Sequence, residues 1–208
     1  MTYVFTSGGT RPLSPFLLQN RPSQVTALTT DWIWLRRADT ESPETEEWLQ
    51  MEAINAGKSI LNNTIVKLRH SASSESTQIR EEAKKELQLV AENFGMLGGK
   101  WLVYPSTANI DAVWEKLAIS FDHGDLATTK CHGMKVSTAA PSQPHVICVY
   151  LPNIFDQTAA GEVLAVLREM GIKPQGAKPD LYTLIELYAK HPSGISPTLW
   201  KVGDFEAA

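Results

Sequence analysis

Cysteine is scarce in this sequence: there are two in 208 residues, too few for a disulfide framework. Cys131 lies in a polar segment and Cys148 in an apolar run, which predicts two free thiols in a reducing compartment. Long apolar runs are missing too, since none reaches the about 20 residues that a membrane-spanning helix needs. Residues 1–24 lack the basic cluster and apolar run of a secretory signal. We therefore expect a cytoplasmic or nuclear protein with no membrane partner.

An excess of basic residues is also absent. Lysine and arginine number 19 against 23 acids, for a formal net charge of −4 and a pI of about 5.7. This balance argues against the broad electrostatic grip of a duplex DNA-binding protein, but it leaves room for a small basic pocket. The chain length suits one domain that buries its own core. We expect residues 31–208 to form that domain, after an irregular segment at residues 1–30 with several glycines and prolines.

Familiar catalytic and metal-binding motifs are missing as well. Ala56-Gly57-Lys58-Ser59 resembles the end of a phosphate-binding loop, but Glu52 stands where that motif needs a glycine and the surrounding pattern is helical. No two histidines are spaced i, i+4, and Cys131-His132 offers two ligands where Zn²⁺ needs three or four. The sequence therefore predicts no metal and no cofactor.

Apolar periodicity divides the chain into helices and strands. The helical segments are 79–94, 109–123, 156–170 and 42–68, the last begun by Ser42-Pro43-Glu44. The strand segments are 32–35, 100–104, 130–138, 145–151, 181–188 and a short edge strand at 198–202, with a linker at 70–75 and a Pro/Gly loop at 173–179. The turn between Lys135 and His145 is short enough only for an antiparallel pair. The predicted fold class is α+β, with helices packed on one face of a mixed sheet.

Polar side chains on the two strands joined by this turn indicate an anion site. Lys135 and Ser137 share one face of their strand, and His145 begins the next strand. If the turn brings the three together, the amine and the imidazole would bind phosphate or carboxylate. The alternative is that Lys135 and His145 lie in water at the rim of the sheet.

Two further features are candidates for the same pocket. Lys178-Pro179-Asp180 precedes a predicted strand, so the lysine and the aspartate would either reach the pocket or form a solvated turn. Trp32 and Trp34 are two residues apart, which in a strand directs both rings to one face. Such a pair forms a stacking platform for a base or a hydrophobic dock for a helix, with core packing as the alternative.

Gly98-Gly99-Lys100-Trp101-Leu102 resembles a strand start of the cap-binding translation initiation factor family. The order of elements that follows is also similar, with a helix at 113–117, strands at 133–137 and 146–150, and a helix at 163–167. More closely, the sequence resembles the basophilic-leukaemia-expressed protein family, through 99–101, 135–137, 145–150 and 178–183. The resemblance spans about residues 98–200.

The resemblance implies a curved, mostly antiparallel sheet with helices on its convex face and a ligand on its concave face. In cap binders that ligand is a methylated guanine held between two tryptophans, with basic side chains on its phosphates. Ser137 falls near the place of a phosphate-binding arginine, and Tyr182 lies inside the matched stretch. The candidate ligand-binding residues are Trp32, Trp34, Lys135, Ser137, His145, Lys178, Asp180 and Tyr182.

The sequence leaves three functions open. The first is a module that binds a nucleotide, a short RNA end or another anionic small molecule on the concave face. The second is an enzyme that acts on a small molecule in the same pocket, with Lys135 or His145 as acid–base catalyst. The third is a protein-interaction scaffold whose helical face, with Trp48 or Trp114 partly exposed, docks a partner helix.

Overall fold

The protein combines one six-stranded sheet with six α-helices in the residues that the structure describes. A computed structural model describes residues 3–38, 46–140 and 144–206. The strands are β1 (Val4–Ser7), β2 (Trp32–Arg37), β3 (Gly99–Val103), β4 (Gly133–Ser137), β5 (Ile147–Leu151) and β6 (Gly176–Pro179). The helices are α1 (Leu13–Gln19), α2 (Glu47–His70), α3 (Ser76–Asn93), α4 (Ile110–His123), α5 (Gln157–Glu169) and α6 (Asp180–Leu184).

The strands lie in the order β1-β2-β4-β5-β3-β6. The β1–β2 pair is parallel, and each of the other four neighbouring pairs is antiparallel. The predicted α+β class with a mixed, mostly antiparallel sheet is therefore confirmed. No helix among the described residues has the length and apolarity that crossing a membrane requires.

Most of the predicted elements are present, with ends shifted by a few residues. Asp156 caps α5, because its carboxylate accepts a hydrogen bond of 3.1 Å from the Ala159 N–H. Gly171 follows the helix with a φ of 71°, a conformation that favours glycine. The predicted start of α2 at Ser42-Pro43-Glu44 lies outside the described residues, and the predicted linker at 70–75 includes a 3-10 turn at Ser73–Glu75.

The expectation of an irregular segment at residues 1–30 is wrong for two stretches. β1 joins the edge of the sheet beside β2, and α1 packs against α4. Leu13, Phe16 and Leu17 give α1 a buried stripe at spacings of three and four residues. Glycine and proline counts hid these elements because Gly8 and Gly9 lie in the turn after β1, and Pro15 lies in the first turn of α1, where a helix tolerates proline.

Trp114, one of the two tryptophans considered for a partner surface, is buried. It lies in α4, which α1 packs against, and its side chain is 1% exposed. Trp48 on α2 is 61% exposed. Of these two tryptophans, Trp48 is therefore available to a partner under the scaffold hypothesis, and Trp114 is not.

The segment after residue 172 departs most from prediction. The expected loop at 173–179 contains strand β6, which pairs with β3. The expected strand at 181–188 is instead the short helix α6 and a turn, because Leu181, Tyr182 and Ile185 bury one side of a helical turn. The expected edge strand at 198–202 is reduced to one bridge between Trp200 and Ala177, followed by a 3-10 turn at Val202–Phe205.

One face of the sheet, here called the packed face, forms the main core. Side chains alternate between the faces along each strand, and partners in register share a face. The packed face carries Ile33, Val136, Met134, Val149, Trp101 and Ile147. Buried residues of α1, α4 and α5 belong to the same hydrophobic cluster, so these three helices cover this face.

A second hydrophobic cluster joins α2 and α3 to α6 and the turn after it. The Asp180 and Thr183 side chains of α6 contact Lys100, which points away from the packed face. The structure thus differs from the expected single helical layer, because α6 lies at the β3–β6 end of the other face.

Gly57 explains the segment that resembles a phosphate-binding loop. It lies within α2, and a Cβ atom there would stand 2.8 Å from the Ile185 Cγ2 atom. Glycine is therefore required by the close approach of α2 to the residue after α6. The interpretation of this segment as a helix is confirmed.

Candidate functional site

Three aromatic side chains and one lysine meet on the face opposite the packed face. Trp34 pairs in register with Lys135, and Lys135 pairs with Cys148 across β4 and β5. Trp32 and Tyr150 lie one pleat away on the same face. We call this surface the aromatic face, defined by Trp32, Trp34, Lys135 and Tyr150.

The Lys135 ammonium lies against all three rings of the aromatic face. Its Nζ atom is 4.0 Å from the centroid of Trp32, 4.9 Å from that of Trp34 and 5.7 Å from that of Tyr150. These distances are within the range of cation–π attraction. Within the described part of the chain, no hydrogen bond or ion pair engages this Nζ atom. Its contacts there are therefore with the three rings.

Trp34 is held from two further sides. Its ring stacks on Tyr150 with centroids 5.8 Å apart and an interplanar angle of 20°. The Arg36 guanidinium, two residues along β2, lies 4.7 Å from the Trp34 centroid. The ring is thereby fixed by neighbours on its own strand and on β5, as a preformed binding surface requires.

A second pair of lysines continues the aromatic face onto β3 and β6. Lys100 and Lys178 are partners in register, and Lys100 is also the partner of Tyr150. Both lysines are buried, at 7% and 5% exposure. Such burial is uncommon for lysine and needs polar partners.

Those partners come from the chain that follows β6. Lys100 Nζ forms an ion pair with Asp180 and donates a hydrogen bond of 3.0 Å to the Thr183 hydroxyl. Lys178 Nζ donates to the Leu187 carbonyl at 2.9 Å and lies 4.1 Å from the Tyr188 ring centroid. Residues 180–188 therefore fold over the β3–β6 end of the face.

Burial also changes the acidity of groups at the site. It lowers the pKa of Lys135, and it lowers the pKa of Lys178 to about 8, with the nearby Lys100 charge acting in the same direction. It raises the pKa of Cys148 and of Tyr150, so the thiol and the phenol keep their protons at neutral pH. The arrangement offers ammonium groups and neutral donors rather than an activated thiolate.

His132 forms one edge of the site. Its ring meets Tyr150 edge-on, with centroids 6.2 Å apart and an interplanar angle of 61°. Burial lowers its pKa, which favours the neutral imidazole. Its Nδ1 atom is buried and has no hydrogen-bond partner among the described residues.

We expected His145 to lie beside Lys135, but the structure keeps the two residues apart. Val136 pairs with Ile147, so Lys135 lies across from Cys148. His145 itself lies two residues before the start of β5, outside the strand. Its ring is buried, and its Nδ1 atom lies 3.0 Å from the Ser137 carbonyl oxygen.

Two other predicted residues have mainly structural contacts. The Ser137 hydroxyl accepts a hydrogen bond of 2.9 Å from the Val146 N–H, which ties β4 to the start of β5. Tyr182 is 1% exposed and belongs to the second cluster with α2 and α3. Burial raises the pKa of Tyr182 to about 12, and its hydroxyl has no partner within the described ranges.

Several residues of the site were missed from the sequence, namely Lys100, Tyr150, Arg36 and His132. Nearly every residue of the predicted strand at 145–151 is apolar, which concealed the polar ends of Cys148 and Tyr150. A signal was available in the alternation, since Tyr150 shares a face with Cys148 and not with Val149. Lys100 alternates in the same way with Trp101.

The site provides an aromatic surface with positive charge beside it. Arg36, Lys100, Lys135 and Lys178 contribute four cations, and Asp180 contributes one carboxylate. This local excess contrasts with the formal net charge of −4 for the whole chain. Among the described residues, no group of three or more His, Cys, Asp or Glu side chains is placed to hold a metal ion.

A comparison with protein families identifies the chain. The model of the basophilic leukemia-expressed protein Bles03 family matches residues 10–189, which include every residue of the aromatic face. The match therefore confirms the family that the sequence resembled. The chain belongs to the Bles03 family.

Proposed function

We propose that the aromatic face binds an anionic ligand that carries a planar ring, such as a nucleotide or a short RNA end. One observation carries this proposal: the Lys135 ammonium lies among Trp32, Trp34 and Tyr150 on a face whose next strands bear Lys100 and Lys178. A nucleotide presents the complementary pair of groups, a base with a π face and a phosphate.

Stacking and charge-assisted hydrogen bonds would supply comparable parts of the affinity in this proposal. A base stacked on an aromatic side chain contributes about 1–3 kcal/mol. Charge-assisted hydrogen bonds from an ammonium to phosphate would add about 1.5–3 kcal/mol. Few phosphates would be contacted, so binding would weaken only modestly with added salt.

The likeness to the cap-binding initiation factor fold belongs to the same proposal. It is supported by the order β3-α4-β4-β5-α5, which agrees with the order predicted from residue 98 onward. It is also supported by two tryptophans on the face opposite the main helical layer. On this view the aromatic face is the concave side of a curved sheet and α1, α4 and α5 line the convex side.

The other two functions have less support. An acid–base enzyme would rely on Lys135 without His145, whose ring is buried beside the Ser137 carbonyl oxygen. A scaffold on the helical side would rely on Trp48 without Trp114.

Calorimetric titration tests the proposal directly. The purified chain would be titrated with AMP, GMP and a short single-stranded RNA, and the Trp32→Ala variant would be compared with Trp48→Ala. Because stacking is lost only in the first variant, we expect it to bind about 5- to 100-fold more weakly and the second to bind like the unmodified chain. Absence of binding to all three probes would reject the proposal.

A further inference from the structure

The surface on which a ligand ring would stack is already occupied by a side chain of the protein. The Lys135 Nζ atom is 4.0 Å from the Trp32 centroid, closer than to either of the other two rings. A planar ligand that covers this face of Trp32 must displace the ammonium. A ligand that stacks there therefore loses binding free energy to the displacement of the ammonium, which an empty aromatic surface would not require.

We propose that Lys135 determines the specificity of the site, by admitting planar ligands that carry a phosphate and disfavouring the same rings without one. This inference rests on the proposed function of the aromatic face. It assigns to one residue the discrimination between a nucleoside phosphate and the same nucleoside without its phosphate.

The physical reason is the fate of the displaced charge. When a neutral ring replaces the ammonium on Trp32, the cation–π attraction is lost and the charge gains nothing from the ligand. When the ligand carries a phosphate, the ammonium can turn to it and form a charge-assisted hydrogen bond. Specificity then comes from a cost that only the correct ligand offsets.

Lys135 is the lysine whose ammonium is able to move from Trp32 to a phosphate. Lys100 is engaged by Asp180 and Thr183, and Lys178 is engaged by the Leu187 carbonyl. The Lys135 side chain is only partly buried, and within the described residues its ammonium has ring contacts alone. Moving it therefore breaks no hydrogen bond of the fold.

A matched pair of probes isolates the effect of the phosphate. Adenosine and AMP would be titrated into the unmodified chain, Lys135→Met and Lys135→Arg, with Lys130→Met as a control at an exposed lysine near β4. We expect the unmodified chain to prefer AMP about tenfold or more, as one charge-assisted hydrogen bond allows. Lys135→Met should weaken AMP binding without weakening adenosine binding, so the preference falls to about twofold or less. Lys135→Arg and Lys130→Met should keep the preference.

The outcomes separate this inference from the proposed function. If Lys135→Met binds both probes and keeps the full preference for AMP, the role of Lys135 is overturned while ligand binding stands. The same conclusion follows if Lys135→Met weakens both probes equally, or if the unmodified chain binds them equally. If neither AMP nor adenosine binds the unmodified chain, both proposals fail. Urea unfolding of each variant verifies that the variants are folded.

Discussion

Lys100 and Asp180, which are 80 residues apart in the sequence, form an ion pair whose two members are buried to different degrees. The Lys100 side chain is 8% exposed and the Asp180 side chain 37% exposed. Removing one partner of a buried pair leaves the other charge uncompensated. The cost therefore depends on which partner remains, because a carboxylate that still reaches water is less penalised than an enclosed ammonium.

We expect Asp180→Ala to destabilise the protein more than Lys100→Met does. The first change leaves the enclosed ammonium without its carboxylate partner and should lower the free energy of unfolding by about 3 kcal/mol. The second change should lower it by about 1–2 kcal/mol. Urea unfolding of both single variants and of the double variant measures the pair. A double variant that is less stable than Asp180→Ala would contradict this account.

Lys178 predicts a rise in stability at alkaline pH. Burial lowers its pKa from the ordinary value of 10.5 to about 8. Below pH 8 the folded and unfolded states are both protonated, and folding bears the full cost of enclosing the ammonium. Between these two pKa values the unfolded state binds more protons, so the contribution of Lys178 to the free energy of unfolding increases with pH.

Lys178→Met removes this titration and serves as the reference. From pH 7.5 to 9.5, the stability of the unmodified chain relative to the variant should increase by about 1–2 kcal/mol. Urea unfolding across this range measures the difference, with Lys173→Met as the control at an exposed lysine. A difference that stays constant with pH would show that Lys178 keeps its proton throughout.

Gly57 should resist substitution even though it lies inside a helix. Alanine in a helix interior is favoured over glycine by about 0.8–1 kcal/mol. At this position the added Cβ would meet Ile185 Cγ2 at 2.8 Å, so we expect Gly57→Ala to destabilise the protein by about 1–3 kcal/mol. The double variant Gly57→Ala/Ile185→Ala should be no less stable than Ile185→Ala alone, as measured by thermal unfolding. A Gly57→Ala variant that is more stable than the unmodified chain would refute the close approach.

Tyr182→Phe should make the protein more stable. The Tyr182 hydroxyl is buried without a hydrogen-bond partner within the described residues, so folding loses its hydration. Removing the hydroxyl should raise the free energy of unfolding by about 1 kcal/mol. Tyr188→Phe, at a tyrosine that is 53% exposed, should have little effect. Loss of stability in Tyr182→Phe would indicate an unrecognised partner for the hydroxyl.

Much of the site was predictable from local patterns. The spacing of Trp32 and Trp34 correctly predicted two rings on one face, and the position of Lys135 in its strand predicted its direction. The place of His145 was not predictable in this way, because the residue lies outside β5, where strand alternation does not set the direction of its side chain.

The α6 region was not predictable by the same means. The stretch at 181–188 is apolar and rich in aromatic and β-branched residues, which favours a strand. It forms a helical turn because Leu181, Tyr182 and Ile185 bury their side chains against α2 and α3. Tertiary packing outweighed local propensity there, as it commonly does in short elements.

The sequence by itself determined the α+β class, the four central strands of the sheet and which side chains of each of these strands share a face. These properties depend on local periodicity, which survives whatever the chain folds against. Only the tertiary structure decided that Lys135 meets Trp32, Trp34 and Tyr150, and that Lys100 pairs with Asp180. Those meetings depend on strand order and register, which follow from how the whole core packs and not from any single segment.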